Sequence, residues 1–478
     1  MIRKSLRFLL LALALAAIPV CAQYVPAEGD SPSAGGAITP LMLKSLEDAV
    51  PMTPQLRAIR DALAHNSVHS LAINPDVENR TDKLFNHEIK DPGSIANQDK
   101  SGRCWLFAGL NMLRPGIIAK DKMKDFMLSQ AYEQFYEKLE AANRSLDLAV
   151  SLRPEPIHSR RMDTFLQHLI SDGGNWNYVR ALIQKYGAVP ESVMPDDYAA
   201  SHTDEMVGLM SARLRKAVIE LRQTRFDGAA EPALNEWKMS ALRDVYKILV
   251  LCLGQPPESF QWRYEDKDGK VTAMETYSPQ SFRRKFLDTD LSRYVSFVNY
   301  PGQPMHAHLE WAWERDMADQ PNLEAINISM DEMVEMTVKS ILADQPVWFG
   351  ANAGAEGDRK KGLWLDGLED KNDLFGIDFS MNKSDTLAYD NGTPDHAMVI
   401  TGVDVENDKP VKWKVENSWG KDSGDNGWFS IDGRWFDKHV YQVIVDRRFV
   451  PPNLLALARQ KPILLPPWDP FTDWKPGQ

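Results

Sequence analysis

Residues 396–419, HAMVITGVDVENDKPVKWKVENSW, leave the backbone few options. Two apolar, β-branched runs flank the turn-forming stretch "ENDKP", so the segment reads as a β-hairpin. A turn centred on Glu406–Asn407 sets His396 and Asn417 nearly opposite one another, able to share one face of the pair. The Asn carbonyl can then accept an imidazole N–H and hold the ring, and Trp419 is close enough in sequence to shield that bond from water. A hairpin whose His and Asn merely occupy a rim would read the same way. The pair acquires chemical meaning only if the imidazole has a reactive group to serve.

NQDKSGRCWLFAGLN (97–111) supplies one. Ser101 and Gly102 mark a turn, and the apolar CWLFAGLNML after them suits a buried helix that Cys104 begins. Free backbone N–H groups and the positive end of the helix dipole favour a thiolate there. Gln98, six positions earlier, can swing its amide beside the sulfur; with the Cys104 N–H it would form an oxyanion hole. Cys104, His396, Asn417 and Gln98 are therefore the expected nucleophile, base, orienter and oxyanion donor.

Cysteine usage supports this assignment. Arg3, Lys4 and Arg7, the apolar run FLLLALALAAI and Val20-Cys21-Ala22 read as an export signal over 1–22, too short to span a bilayer. The expected location is periplasmic or secreted, and Val20 directly before Cys21 disfavours a lipid anchor. Cleavage leaves two of the three cysteines, Cys104 and Cys252, the second in KILVLCLG, a setting typical of a buried inert thiol. Neither a disulfide framework nor a CxxC zinc pair is present, and His306 and His308 lack a third ligand at useful spacing, so no metal or organic cofactor is expected. Losing Arg3, Lys4 and Arg7 takes the net charge from −12 to −15, which argues against nucleic acid. No later segment is long and apolar enough for a membrane span.

NQDKSGRCWLFAGLN, DHAMVITGVD and VENSWG together resemble the papain-like cysteine peptidases, and specifically the bleomycin hydrolase and aminopeptidase C branch. FNHEI (85–89), LSQAYEQFYEKLE (128–140), DGGNWNYVRALIQKYGAVP (172–190), PVWFGA (346–351) and KPILLPPWDP (461–470) extend the likeness over most of the chain past residue 50. His396 lies 292 positions after Cys104, against roughly 130–150 in papain-type enzymes. The resemblance implies an α+β papain-like fold, a helical lobe bearing Cys104 and a β-rich lobe bearing His396 and Asn417, with large insertions. It also implies peptide substrates, a homohexameric ring, and a C-terminal arm whose terminal carboxylate meets the substrate's α-ammonium, which would make the enzyme an aminopeptidase. After PPWDP this chain continues through FTDWKPGQ, longer than the family's usual ending, leaving Gln478 or Asp473 as the anion.

The expected organisation is a linker over 23–55, a helical lobe over 56–200, a mainly helical insertion over 201–345, a β-rich lobe over 346–450 and an arm over 451–478. Tyr132, Phe135, Tyr136 and Leu139 share one helix face, read as core, with Ser129 as N-cap. Gly173 and Gly174 let a substrate backbone approach closely, as similar glycines do in papain-like enzymes, with Trp105 beside the cleft. The rival readings are an endopeptidase or dipeptidyl-peptidase, a Cys/His acyltransferase on the same scaffold, and a catalytically silent peptide-binding ring.

Overall fold

The computed structural model describes residues 36–223, 230–287, 289–389 and 392–472. The export signal, Asp473 and Gln478 lie outside the described residues. The chain divides into one unit ending at Ala64 and a second from His65 onward. The first unit contains helices α1 (Pro40–Ala49) and α2 (Pro54–Leu63). Each begins Thr-Pro: the hydroxyls of Thr39 and Thr53 accept the N–H of Met42 and Leu56, both at 3.2 Å, and proline takes the first helical position. The expected linker over 23–55 thus carries a helix, whose start signal was hidden by the small, polar residues before it.

In the second unit, α3 (Cys104–Asp121), α4 (Gln130–Leu152) and α5 (Trp176–Tyr186) form the helical lobe. Ser129 caps α4 by accepting the Tyr132 N–H at 3.0 Å. Tyr132 and Phe135 are buried, with Tyr136 and Leu139 packed against the same core. Helices α6 (Asp204–Gln223) and α7 (Ala230–Leu253) fold onto α4. Cys252, on α7, is half-buried rather than fully enclosed.

The β-rich lobe is built on one sheet. Its strands are β1 (Tyr294–Val298), β2 (His308–Trp311), β3 (Glu324–Asn327), β4 (Val347–Ala351), β5 (Leu363–Trp364), β6 (His396–Glu406), β7 (Lys409–Glu416), β8 (Trp428–Asp432), β9 (Val440–Asp446) and β10 (Ile463–Leu465). They run in the order β10-β2-β3-β1-β9-β4-β6-β7-β8-β5, and Gly357–Asp358 adds a short strand beyond β5. The expected insertion over 201–345 is therefore mainly helical in its first half and mixed in its second, where the helices Pro279–Phe286 and Met330–Leu342 flank strands. Its strands β1, β2 and β3 belong to the main sheet, and β10 of the arm pairs in parallel with β2. Non-local pairing of this kind leaves no periodic mark in sequence.

The hairpin forms with a shifted register. Its turn is the pair Asn407–Asp408, both at positive φ, as a tight two-residue turn requires. Val399 faces Glu416, so Asn417 falls beyond the paired end of β7 and His396 pairs instead with Ala351 of β4. His396 and Asn417 become diagonal rather than direct neighbours, still within side-chain reach.

Helix α3 is tied to β7 by a buried ion pair. Arg114 Nη2 donates to Glu416 Oε1 at 2.6 Å, and both side chains are essentially inaccessible to water. The other guanidinium N–H groups reach the carbonyls of Pro92 and Ser94, at 2.7 and 2.8 Å, and Asn111 Oδ1 at 3.3 Å. Gly93 must be glycine on two counts: its φ is +81°, and a Cβ would sit 2.5 Å from Arg114 Nε. Glu416→Gln leaves a buried guanidinium without its counter-charge, so it should cost about 3–5 kcal/mol in urea denaturation. Arg114→Met with Glu416→Leu should cost clearly less than the two single changes added together. Additive costs would mean that the two side chains act independently.

Candidate active site

Cys104 is the first residue of α3, so its N–H has no acceptor within the helix. The loop before it is clamped from behind. Arg103 is buried and forms a two-pronged pair with Asp196, at 3.0 and 2.6 Å, and the Gly102 N–H donates to Asp172 Oδ2 at 3.2 Å. Asp172 in turn pairs with the buried Lys138 of α4 at 3.0 Å. A helix packed for aromatic burial thus also fixes the entry to α3.

His396 opens β6. Its Nε2 lies 2.9 Å from Asn417 Oδ1, and its ring stacks on Trp419 with centroids 4.6 Å apart. The N–H of Ala397, the next residue, lies within hydrogen-bonding reach of the Cys104 sulfur, which brings the thiol to the start of β6. Asn417 is held by its own turn, its Oδ1 also accepting the Ser418 N–H at 2.8 Å.

Gln98 reaches the same place through a short bridge between distant segments. Its N–H donates to the Ser418 carbonyl at 2.8 Å, and the Gly420 N–H donates to Ala96 at 3.1 Å. Ser418 Oγ donates to Gln98 Oε1 at 2.6 Å, while Gln98 Nε2 donates to the Ser101 carbonyl at 2.6 Å. Both ends of the amide are thereby assigned, and the second Nε2 proton is left for a developing oxyanion. Ser418 was missed by sequence reasoning: its neighbours in NSW drew attention, and nothing local shows that its hydroxyl orients a glutamine 320 positions earlier.

The electrostatics differ from the expected resting thiolate. Burial pushes the Cys104 thiol up to about 12; nearby backbone N–H groups pull it down by less, and the Asp395 carboxylate adds to the rise. Burial likewise lowers His396 to about 4, with the Asn417 hydrogen bond opposing and the Arg359 charge assisting. Burial is thus the largest influence on both groups, and in each it disfavours the charged form.

The cleft glycines occupy different settings. A Cβ on Gly174 would lie 2.6 Å from the Trp105 ring and 2.8 Å from Tyr178. Trp105 is 1% exposed, and its Nε1 donates to the Asp172 carbonyl at 2.7 Å. It therefore packs beneath Gly174, a correction to the expectation that it meets substrate. Gly173 lines a cavity together with Tyr178, Glu314 and Asp316, and with Pro467 and Thr472 of the arm.

The peptidase C1-like family model matches residues 37–472. The chain belongs to the peptidase C1-like family. It is 32% identical to aminopeptidase C of Lactobacillus helveticus over 423 residues, covering 87% of this chain and 94% of that one. It is equally similar to aminopeptidase W of Lactobacillus delbrueckii subsp. lactis, 32% over 433 residues, 90% and 98% of the two chains. The crystal structure of PepW from Lactobacillus rhamnosis superposes with a TM-score of 0.88 at 35% identity, over 91% of this chain and 99% of that one. The fold is papain-like α+β, and family membership makes the chain a cysteine peptidase.

The lowered His396 has a consequence for stability in this family member. Between its ordinary value near 6.5 and about 4, the unfolded chain binds the proton and the folded chain does not. The stabilisation is complete above pH 6.5 and drains as the pH falls through that window. Urea unfolding at stepped pH should show the wild type losing about 3 kcal/mol more than His396→Gln over that range. Parallel profiles would mean that folding leaves the His396 proton affinity unchanged, and a wild type that gains on the variant as the pH falls would mean that the folded imidazole is held charged.

Proposed function

We propose that the chain is a cysteine aminopeptidase using Cys104, His396, Asn417 and Gln98. The observation that carries this reading is the imidazole held by Asn417 under Trp419 while the Cys104 thiol sits at the adjoining Ala397 N–H. His396 takes the thiol proton as sulfur attacks the peptide carbonyl. The Cys104 N–H and Gln98 Nε2 hold the oxyanion, and His396 then protonates the leaving amine. Water, activated by the same imidazole, hydrolyses the acyl-enzyme.

The C-terminal arm supports removal of N-terminal residues. Asp469 Oδ1 accepts Trp311 Nε1 at 3.0 Å and the Phe471 N–H at 3.1 Å, and Phe471 is buried between Tyr300 and Trp311. The arm so anchored reaches the cavity that Gly173 also lines. We read an arm anchored beside that cavity as limiting the room for substrate on the acyl side, which favours cleavage from a free N-terminus. Export through the 1–22 leader to the periplasm or beyond, and assembly into a homohexameric ring, complete the proposal; both rest on the leader's sequence pattern and the family likeness.

The deciding experiment pairs fluorogenic peptides that are free and acetylated at the N-terminus. The mature wild type should cleave only the free-amine peptide, and Cys104→Ala should cleave neither. Cleavage of both by the wild type would make the enzyme an endopeptidase, and cleavage of neither would favour the silent binding protein. Gln98→Ala should lower kcat by roughly 10²–10³-fold with little change in KM, because its amide meets charge that exists only in the transition state.

A further inference from the structure

Trp419 has two faces, and each is occupied. His396 stacks on one. The Arg359 guanidinium carbon lies 3.6 Å from the ring centroid, too close to share that face with an imidazole 4.6 Å away, so it covers the other. Arg359 is exposed as a residue, and no carboxylate lies within ion-pair distance of it among the described residues. The nearby Lys361, by contrast, is engaged by Glu78. Stacking uses the flat face of a guanidinium and leaves its in-plane N–H fork unspent, the geometry that grips a carboxylate with two bonds.

The chemistry fixes which part of a substrate arrives there. The amine departs on the side of the imidazole that protonates it, so the residue following the scissile bond lies against Trp419. The carboxylate of that residue, or of the next one roughly 3.5 Å further along an extended chain, reaches the charge on its outer face.

We propose that Arg359 binds the free C-terminal carboxylate of a short peptide, one or two residues past the bond being cleaved, and so selects di- and tripeptides over longer or amidated chains. The proposal rests on the cysteine aminopeptidase reading. With a free amine required at one end and a free carboxylate rewarded at the other, the enzyme would act on the small peptides that endopeptidases release.

The test compares Leu-Gly and Leu-Gly-Gly with their C-terminal amides, following leucine release. For the wild type, kcat/KM should favour the acids by roughly ten- to hundredfold, expressed in KM, as expected for a charge-assisted hydrogen bond. In Arg359→Gln the acid-to-amide ratio should fall to about one, with Arg359→Lys between the two. Because acid and amide are compared within one enzyme, any loss from disturbing Trp419 cancels. A wild-type ratio near one, or a ratio unchanged in Arg359→Gln, overturns the proposal while leaving the peptidase reading intact. Failure of the wild type to cleave any of the four peptides overturns the aminopeptidase reading and this proposal with it. Should Arg359→Gln not fold, the wild-type ratio at high salt decides: collapse supports a charge contact, and persistence rejects it.

Discussion

The Arg114–Glu416 pair is the joint between the two halves of this enzyme. Arg114 lies on the helix that Cys104 begins, and Glu416 directly precedes Asn417. A buried charge pair is a weak source of net stability, because desolvation consumes most of its attraction. Its value here is geometric. Once buried, neither charge can turn away without stranding the other, so helix and strand are held in one relative position. The Pro92–Ser94 loop wraps the guanidinium and extends that constraint towards Gln98.

The site is assembled by a few backbone contacts. Residues 96–98 pair with 418–420, so Gln98, the proposed oxyanion donor, is docked on the segment that directly follows Asn417, the proposed orienter. From the opposite side, Lys138 and Asp172 hold the turn before Cys104, and Asp172 also receives the Trp105 indole that supports Gly174. The ionic contacts lie behind the reacting atoms rather than among them. The thiol and imidazole themselves are buried, and burial disfavours the charged form of each. Arg359 is the exception: a cation at the rim, one indole away from the base.

The local settings of the candidate residues were legible in the sequence, since a helix start, a hairpin and a serine N-cap are short-range structures. His396 and Asn417 were placed together correctly even though the register was not. The turn centre moved by one residue, because Asn407 and Asp408 tolerate positive φ better than Glu406 does. Side-chain reach then absorbed the difference. The boundary at 345 failed for another reason. Strands β1 to β3 are only four or five residues long, and their partners lie far along the chain.

The sequence by itself determined the chemistry available: one cysteine at a helix start, one histidine and one asparagine on a hairpin, and a glutamine before the turn. Those identities are covalent facts, and their local geometry follows from backbone propensity. Only the tertiary structure decided the desolvation of the thiol and imidazole, the orientation of the Gln98 amide through Ser418, the packing of Trp105 beneath Gly174, and the arginine above Trp419. Each of these depends on what lies within a few ångströms through space. Desolvation, hydrogen-bond partnering and stacking are set by those neighbours, whichever part of the chain supplies them.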